Sequence, residues 1–310
     1  RSLHKYLEVI SSRILTFTSM IKTTKQSYKV QQELGQGGQG VVFLAIAEST
    51  REVVAVKLSE LPTEEKVIAF VDEILLVQHL KRSKVKNACE VFEMDLHYSA
   101  TATGGITVMK KYDCDLFTHA FDSRALLTEA ATQLIFRQVC QGIQTFHRAG
   151  VAHMDLKPEN LLIDYKTQKV SICDFGSCIW LKNRWRINNM VSHYGARGTK
   201  EYFAPELIVS SIHYDPFKID SFCLGVVLFV MLTGQYPYSN DSHQCEYDAD
   251  VLQFSPMLDN LIRGLLHPDP KKRFSVSKAL AHPWLRSKNV FTFKDIYTRV
   301  CTKKMRNRAI

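Results

Sequence analysis

The sequence predicts an α+β fold with two lobes, a small β-rich lobe that carries one helix and a larger, mainly helical lobe. Short Val-rich runs typical of strands dominate the first lobe up to about residue 112. Apolar residues at helical spacing dominate the chain after Leu116. The length of 310 residues also lies where a single hydrophobic core tends to divide into two.

The composition is that of a globular protein. Hydrophobic residues make up 45% and charged residues 23% of the chain, which excludes disordered and low-complexity classes. No apolar run approaches the ~20 residues that span a bilayer, and we expect the longest, 224–232, to be a buried helix core. The charged residues before position 26 are unlike a secretory signal. Eight cysteines without a C-x-x-C pair predict reduced thiols in an intracellular, cytoplasmic protein.

The net charge of +9 permits several partners. A basic excess can indicate nucleic acid or an anionic membrane, but it also serves solubility alone. Part of the excess lies in the basic C-terminal extension, 286–310. Since base-stacking and finger motifs are absent from the sequence, we expect no specific nucleic-acid partner. The shortness of the apolar runs likewise predicts no transmembrane segment.

An N-terminal extension, 1–27, precedes the first predicted strands. Its apolar residues follow a 4-3-4-3-4 spacing, which predicts an amphipathic helix over 3–21, at Leu3, Leu7, Ile10, Ile14, Phe17 and Ile21. Such a helix either binds a partner or a second copy, or lies on its own domain. Three heptads are few for a coiled coil, so we favour the second interpretation.

The patterns after residue 28 place the elements in order. They predict strands at 41–44 and 53–56 with a turn at 48–50, a helix over 64–82, strands at 88–96 and 106–109 split by 103–105, and helices over 130–146 and 219–232. The two lobes therefore meet near 112–115.

A glycine-rich segment joins the first two strands of this series. Gly35-Gln36-Gly37-Gly38-Gln39-Gly40-Val41-Val42 fits G-x-G-x-x-G-x-V. Glycines allow the backbone to approach phosphate oxygens and to direct N–H donors at them. A strand follows the last glycine, which argues against a dinucleotide-binding fold, where a helix begins there.

Lys57 ends the apolar strand Val54-Ala55-Val56. An unpaired buried ammonium is costly, so this lysine requires anions, which phosphates and one carboxylate would supply. Glu73, within the apolar-periodic helix, is the best candidate carboxylate. The alternative for Lys57 is an edge lysine that reaches solvent.

Two further segments carry candidate catalytic groups. In His153-Met-Asp155-Leu-Lys157-Pro-Glu-Asn160, a carboxylate, an ammonium and an amide could orient a hydroxyl, neutralise phosphate charge and hold a metal. Pro158 predicts a loop there. Asp174-Phe175-Gly176 closes a strand at 170–173, where a carboxylate is well placed for Mg²⁺.

The order and spacing of these motifs resemble the eukaryotic protein kinase family. The resemblance covers 28–285 and includes Gly198-Thr199-Lys-Glu-Tyr-Phe-Ala-Pro205-Glu206, Asp220, Arg273 and His282-Pro-Trp284. It implies a protein-kinase-like fold with a small antiparallel β lobe (28–112) and a mainly α lobe (113–285). It also implies an ATP- and Mg²⁺-dependent transfer of phosphate to protein substrates.

The resemblance assigns a role to each motif residue. Asp155 would accept the substrate hydroxyl proton beside Lys157, and Asn160 and Asp174 would ligate Mg²⁺. Lys57, paired with Glu73, would contact the α- and β-phosphates. Structural roles would fall to Asp220, which steadies the catalytic loop, and to a Glu206–Arg273 pair. The other nucleotide contacts would be Leu34, Gly35, Gln36, Gly37, Gly38, Gln39, Gly40, Val41, Val42, Ala55, Met109 and Lys111.

Lys157 and Thr199 look like the serine/threonine branch of the family. Residues 30–34, the Lys157-Pro-Glu-Asn160 loop and the ending His282-Pro-Trp284 look most like the calcium/calmodulin-dependent group. Ser192 and Tyr194 are candidate modification sites in a basic activation segment. Met154 replaces the usual Arg, which commonly binds a phosphate on that segment. We therefore expect activity without phosphorylation there.

Three other functions compete with an active serine/threonine kinase. A pseudokinase scaffold would bind ATP or partners without turnover, but it would often lack one of Lys57, Asp155, Asn160 or Asp174, and all four are present. A small-molecule or lipid kinase is disfavoured by the Ala204-Pro205-Glu206 segment. A nucleic-acid module would explain only the charge.

Overall fold

A computed structural model describes residues 20–38, 40–98, 103–121, 127–181, 191–192, 197–208, 213–238 and 247–287. Their contacts divide the chain into two compact units. The first contains 20–78 and 89–112, and the second contains 79–88 and the described residues from 113 onward.

The first unit is an antiparallel sheet with one helix. Its strands are ordered β1-β2-β3-β4-β6-β5, and every neighbouring pair is antiparallel. The elements are β1 (Met20–Lys22), β2 (Ser27–Gly37), β3 (Gly40–Ala47), β4 (Val53–Glu60), α1 (Glu64–Arg82), β5 (Val91–Tyr98) and β6 (Thr103–Lys110). The predicted strands and the helix over 64–82 are confirmed.

Alternating burial fixes the inner face of this sheet. Every second residue of β3 is buried, as the two-residue period of a strand requires. The core behind that face consists of Ile21, Tyr28, Ala45, Ala47, Val54, Val56, Ile106 and Val108.

The last position of the predicted N-terminal helix is wrong. Ile21 lies in β1, pairs with Tyr28 and is 3% exposed. Sheet pairing and core burial at Ile21 therefore override the helical spacing. The rest of the predicted helix lies in 1–19, outside the described residues.

The predicted break at 103–105 is also wrong, because these residues begin β6. Gly104 pairs with Glu60 and Gly105 with Ser59, so the sheet continues through both glycines. A Cβ on Gly105 would lie 2.6 Å from the ring of Phe70 in α1. Gly105 therefore leaves space for the Phe70 side chain of α1 and does not form a turn.

The end of α1 groups with the second unit through hydrogen bonds. His79 Nε2 donates to the carbonyl of Ala149 at 2.8 Å, and its ring stacks on Trp180 at 4.3 Å. Asn87 Nδ2 donates to the carbonyl of Val170 at 2.8 Å. These contacts account for the assignment of 79–88 to this unit.

The second unit is mainly helical. Three small sheets, ordered β10-β9-β7, β11-β8 and β12-β13, accompany the helices. Its elements are β7 (Cys114–Asp115), α2 (Leu116–Phe121), α3 (Glu129–Arg148), β8 (Val151–Ala152), β9 (Leu161–Asp164), β10 (Lys169–Ile172), β11 (Ile179–Trp180), β12 (Val191–Ser192), α4 (Pro205–Ile208), β13 (His213–Tyr214), α5 (Pro216–Thr233), α6 (Pro256–Leu265), α7 (Val276–Ala281) and α8 (Pro283–Arg286).

The helix α5 forms the centre of the second unit. Asp215 caps its N-terminus by accepting from the N–H of Phe217, Pro216 fills the first helical position, and Gly234 ends it in a left-handed conformation. Although α5 is long and apolar enough to cross a bilayer, 78% of it is buried inside the fold. It is therefore the core helix that the apolar run at 224–232 predicts.

Candidate active site

The segment that carries Asp155 and Asn160 runs between β8 and β9. Pro158–Asn160 forms a short 3₁₀ turn, whereas the sequence predicts only a loop. Proline is tolerated at the first position of such a turn because the N–H there has no partner within the turn. The turn brings the Asn160 side chain back to Asp155.

Asp220 of α5 anchors the backbone just before Asp155. Its carboxylate is fully buried and accepts the N–H of His153 at 2.9 Å and of Met154 at 2.8 Å. His147 Nε2 donates to the same carboxylate at 2.7 Å. These bonds hold Met154 at a positive φ of 68°, which is uncommon for a non-glycine residue. Met154 is buried and apolar, whereas the Arg that usually stands at this position binds a phosphate on the activation segment.

The carboxylate of Asp155 is 4% exposed and hydrogen-bonded on both oxygens. Its Oδ1 accepts from the backbone N–H of Thr199 at 2.9 Å and from the Thr199 hydroxyl at 2.8 Å. Asn160 Nδ2 donates to the carbonyl of Asp155 at 2.8 Å and to Oδ2 at 3.2 Å. Two elements far apart in sequence therefore fix the orientation of one carboxylate.

Lys157 completes a three-residue polar group with Asp155 and Thr199. Its Nζ lies 3.3 Å from Asp155 Oδ2 and donates to the Thr199 hydroxyl at 2.7 Å. A carboxylate, an ammonium and a hydroxyl thus lie within hydrogen-bonding reach of one another. This arrangement can accept a proton from a hydroxyl and neutralise nearby negative charge.

The conformation of Gly198 allows Thr199 to approach Asp155. Its φ is +99°, and a Cβ there would lie 2.4 Å from the carbonyl oxygen of Met154 and 3.3 Å from Asp155 Oδ1. Only glycine fits this position without displacing the backbone.

Asn160 and Asp174 lie on segments joined by hydrogen bonds. The N–H of Cys173 donates to the carbonyl of Asn160 at 2.9 Å, and His153 Nε2 donates to the carbonyl of Cys173 at 2.9 Å. Asp174 follows at a positive φ of 65°. His153 also packs edge-on against Phe175, which is 5% exposed.

The donors of Asn160 and Asp174 fit Mg²⁺. Both hydrogen bonds of the Asn160 amide to Asp155 are made by its nitrogen, so its oxygen is the atom that could bind a metal, and Asp174 could add a carboxylate. Mg²⁺ is commonly bound by one or two carboxylates together with substrate phosphates and water. Among the described residues, no cluster of three His, Cys, Asp or Glu side chains could hold a metal.

The predicted Glu206–Arg273 contact is present and bidentate. Arg273 donates to the two carboxylate oxygens at 2.7 and 2.8 Å, and its side chain is fully buried. The guanidinium lies 5.0 Å from the ring centroid of Phe222, and Cys223 Sγ donates to the carbonyl of Tyr202 at 3.3 Å. Phe222 and Cys223 of α5 therefore both make contacts within the second unit.

The predicted nucleotide contacts lie in the first unit. Gly35 and Gly37 of β2 pair with Val42 and Gly40 of β3, so the glycine-rich segment forms a hairpin. A Cβ on Gly40 would lie 2.0 Å from the carbonyl oxygen of Leu58, which requires glycine. Gln39 lies outside the described residues.

Lys57, Ala55, Met109 and Glu73 fall on regular elements of the same unit. Ala55 and Lys57 are in β4, where Ala55 pairs with Met109 of β6, and Glu73 is in α1. Lys111 follows the end of β6. Pairing of Lys57 with Glu73 stays a prediction.

The structure describes one of the two candidate modification sites. Ser192 lies in β12, opposite His213 of β13. Tyr194 lies outside the residues that the structure describes.

Sequence reasoning missed two histidines of the second unit. His147 lies in the last turn of α3 and binds Asp220, and His79 lies in the last turn of α1 and stacks on Trp180. Both contacts join residues more than seventy positions apart, and no sequence motif marks either one.

Comparison with known proteins gives a family match over most of the chain. A family model described as "Protein kinase domain" matches residues 28–285. A "Probable serine/threonine-protein kinase fhkE" of Dictyostelium discoideum is 28% identical over 83% of this chain and 37% of its own length. Calcium-dependent protein kinase 13 of Arabidopsis thaliana is 30% identical over 84% of this chain and 49% of its own. The smooth-muscle myosin light chain kinase of Gallus gallus is 27% identical over 84% and 14%.

These relatives confirm the resemblance to serine/threonine protein kinases that the motifs indicate, and the calcium-dependent protein kinases among them are consistent with the predicted group. The chain spans about half or less of the length of the curated relatives that it matches. What it shares with them is the kinase domain.

Proposed function

We propose that this chain, which belongs to the protein kinase family, transfers the γ-phosphoryl group of ATP to Ser or Thr hydroxyls of protein substrates. The observation that carries the proposal is the grouping of Asp155, Lys157 and Thr199, in which a hydroxyl already lies 2.8 Å from the Asp155 carboxylate. The names of the relatives support the serine/threonine class.

Asp155 is the proposed base. As the substrate hydroxyl oxygen bonds to the γ-phosphorus, the bond from phosphorus to the β,γ-bridging oxygen breaks and ADP leaves. Asp155 accepts the hydroxyl proton. The bonds from Asn160 and Thr199 support this role because they hold the carboxylate in place before substrate binds.

Lys157 is proposed to neutralise charge on the transferred phosphoryl group. Its Nζ is held within 3.3 Å of Asp155 Oδ2, and 22% of its side chain remains exposed. An ammonium in this place stabilises negative charge that develops near the carboxylate.

Asn160 and Asp174 are proposed to hold Mg²⁺ through an amide oxygen and a carboxylate. When bound, the metal would neutralise negative charge on the phosphates of ATP. The residues themselves orient these oxygens, through the bonds from Asn160 Nδ2 to Asp155 and from the Cys173 N–H to the Asn160 carbonyl.

The first unit is proposed to bind the nucleotide. The β2–β3 hairpin would cover the phosphates, Lys57 would contact them while paired with Glu73, and residues around Met109 and Lys111 would contact the base. Cβ atoms at Gly35, Gly37 and Gly38 would meet no other described atom within 4 Å, which supports a hairpin whose backbone phosphate can approach. We further infer an intracellular location, in keeping with the free thiols of the described cysteines.

A transfer assay tests this proposal. Purified protein, γ-labelled ATP, Mg²⁺ and a generic basic protein should yield labelled phosphoserine or phosphothreonine, and Lys57→Met should lose that label. Lys29→Met, which makes the same change at an exposed lysine of β2 outside the predicted nucleotide contacts, is the matched control. Equal label in wild type and Lys57→Met, or label on tyrosine alone, would overturn the proposal. The pseudokinase alternative, which predicts no turnover by the wild type, gains no support from the comparisons.

A further inference from the structure

A basic surface lies where helices α1 and α3 end in the second unit. The last turn of α1 and the residues just after it carry exposed cationic side chains, and the end of α3 adds another. These residues, which we call the basic surface, are Lys81, Arg82, Lys84, Lys86 and Arg148.

Two hydrogen bonds bring the two helix ends together. His79 Nε2 donates to the carbonyl of Ala149, the neighbour of Arg148, at 2.8 Å. The N–H of Lys86 donates to the Thr145 hydroxyl at 3.0 Å. Thr145 lies three residues before Arg148 on the same face of α3. Arg148 therefore lies beside the turn that carries the lysines.

Acidic residues are absent from the segments that form this surface. The sequence contains no Asp or Glu in 74–89 or in 130–154. Four of the cations, Arg82, Lys84, Lys86 and Arg148, form no ion pair with any residue that the structure describes. Since the charged surface of a soluble protein commonly intersperses both signs, a group of like charges indicates an anionic partner.

Helix capping accounts for only part of the basic surface. The C-terminal end of a helix carries about half a negative charge, which favours cations in the last turn. Lys81, Arg82 and Arg148 lie in such last turns. Lys84 and Lys86 follow the end of α1, so the helix ends do not explain them.

The backbone holds Lys84 in an uncommon conformation. Its φ is +51°, in the left-handed region where helices usually place a glycine after their last turn. The N–H of Ser83 donates to the carbonyl of His79 at 2.9 Å, and the N–H of Lys84 donates to the carbonyl of Lys81 at 3.0 Å. A lysine in this fixed turn costs backbone free energy that a glycine would not, and strained residues concentrate at functional sites.

The form of the basic surface selects the class of anion. Residues 81–84 are exposed in succession, so the turn projects into solvent and does not enclose a small anion. Lysines are flexible point charges, which suit phosphate groups without a fixed arrangement. Clusters of about four to eight Lys and Arg side chains are typical of surfaces that bind anionic lipid headgroups. The basic surface contains no aromatic side chain to stack on bases, which disfavours single-stranded nucleic acid.

From the grouped cations, the strained lysine and the projecting turn we propose that the basic surface binds the anionic headgroups of a phospholipid bilayer. The contact is electrostatic and holds the second unit at the membrane surface. It does not depend on the proposed kinase activity. Nucleic acid and acidic protein segments are also arrays of negative charge, and they are outcomes of the test.

Vesicle sedimentation with the full chain tests this proposal. The vesicles contain phosphatidylcholine and phosphatidylserine at about 7:3, or phosphatidylcholine alone. Lys84→Gln with Lys86→Gln removes two charges from the basic surface, and the control, Lys271→Gln with Lys272→Gln, removes two exposed charges elsewhere in the same unit. Because each cation near an anionic membrane contributes about fivefold in affinity, we expect the first variant to bind mixed vesicles about thirtyfold more weakly than the control.

Equal binding by the two variants would show that net charge alone attracts the chain, and it would overturn the proposal. So would a wild type that binds mixed vesicles no better than phosphatidylcholine alone. Duplex DNA and polyglutamate, each added at the same concentration of negative charge as the mixed vesicles, separate the other partners. We expect neither to displace the protein from the vesicles. Displacement by DNA would assign the surface to nucleic acid, displacement by polyglutamate would assign it to an acidic protein segment, and each result overturns the proposal.

Discussion

Thr199 donates two hydrogen bonds to the Asp155 carboxylate, one from its backbone N–H and one from its hydroxyl. The hydroxyl in turn accepts from Lys157, so a neutral side chain links the anion to the cation. The sequence predicts Thr199 as part of the activation segment and, with Lys157, as a mark of the serine/threonine branch, but not as a partner of Asp155. Its contact with Asp155 depends on the path of the chain from 174 to 199, which local patterns do not contain.

Gly198→Ala should lower kcat about a hundredfold, because the new Cβ would lie 2.4 Å from the carbonyl oxygen of Met154 and displace Thr199 and Asp155. Steady-state kinetics with a peptide substrate measure the loss. Gly104→Ala is the control, since its Cβ would meet Ser59 at an ordinary 3.4 Å. Similar kcat values in the two variants would contradict the role given to Gly198.

A buried histidine away from the site makes stability depend on pH. His119 is 3% exposed, and its Nδ1 lies 2.8 Å from the Tyr165 hydroxyl, which also contacts Cys114. Its Nε2 has no hydrogen-bond partner among the residues that the structure describes. Burial lowers the pKa of His119 to about 4.

Because the pKa of His119 is lowered in the folded state, the unfolded chain binds more protons between its ordinary pKa of 6.5 and 4. The stabilising contribution of neutral His119 is therefore fully present above pH 6.5 and is lost as the pH falls towards 4. Between pH 7 and 5 the wild type should lose about 2 kcal/mol more free energy of unfolding than His119→Asn. Urea denaturation at both pH values tests this, and parallel losses in the two proteins would refute it.

Among the elements, strands and helices with a clear period were predictable, and positions where tertiary contacts compete were not. The helix over 64–82 has the predicted bounds, and its buried residues Phe70, Leu76, Val77 and Leu80 lie at helical spacing. Ile21 and Gly105 deviate because pairing with Tyr28 and contact with Phe70 outweigh the local pattern. Neither contact is encoded within a short window.

The ion pair between Glu206 of α4 and Arg273, which precedes α7, should stabilise the second unit. Glu206→Gln leaves the fully buried Arg273 without its counter-charge and should reduce the free energy of unfolding by about 3 kcal/mol or more. Asp259→Asn removes one partner of the exposed Arg263 pair on α6 and should cost less than about 1 kcal/mol. Chemical denaturation of both variants gives the comparison, and equal effects would contradict the importance of burial.

At the level of the molecule, the sequence predicts two lobes and their order, and the two compact units confirm this. The assignment of 79–88 to the second unit was not predictable. It follows from hydrogen bonds of His79 and Asn87 with distant carbonyl groups, whereas the local pattern continues the helix of the first unit.

The candidate site was predictable as a set of residues because its motifs combine fixed spacing with unusual chemistry, as in Asp155 and Asn160. The network that orients them was predictable only in part. Asp220 was expected to steady the loop, but the contribution of His147 was not, since a histidine at a helix end has no distinctive pattern.

Regulation of the whole molecule should not require phosphate on the activation segment. Met154 is buried and apolar, so it cannot bind phosphate as the usual Arg does. Phosphatase-treated protein should therefore retain the activity of untreated protein in a peptide assay. Loss of activity on treatment, with recovery after phosphorylation between 174 and 206, would contradict this expectation.

The central claim is that the Asp155 carboxylate removes the proton of the substrate hydroxyl. Asp155→Asn retains an oxygen that can accept the hydrogen bonds of Thr199, but it lacks the basicity of a carboxylate. The most direct measurement is the kcat of this variant beside its KM for ATP. We expect the kcat of Asp155→Asn to fall about 10²–10⁴-fold while its KM for ATP stays unchanged. A variant with the kcat of the wild type would contradict it.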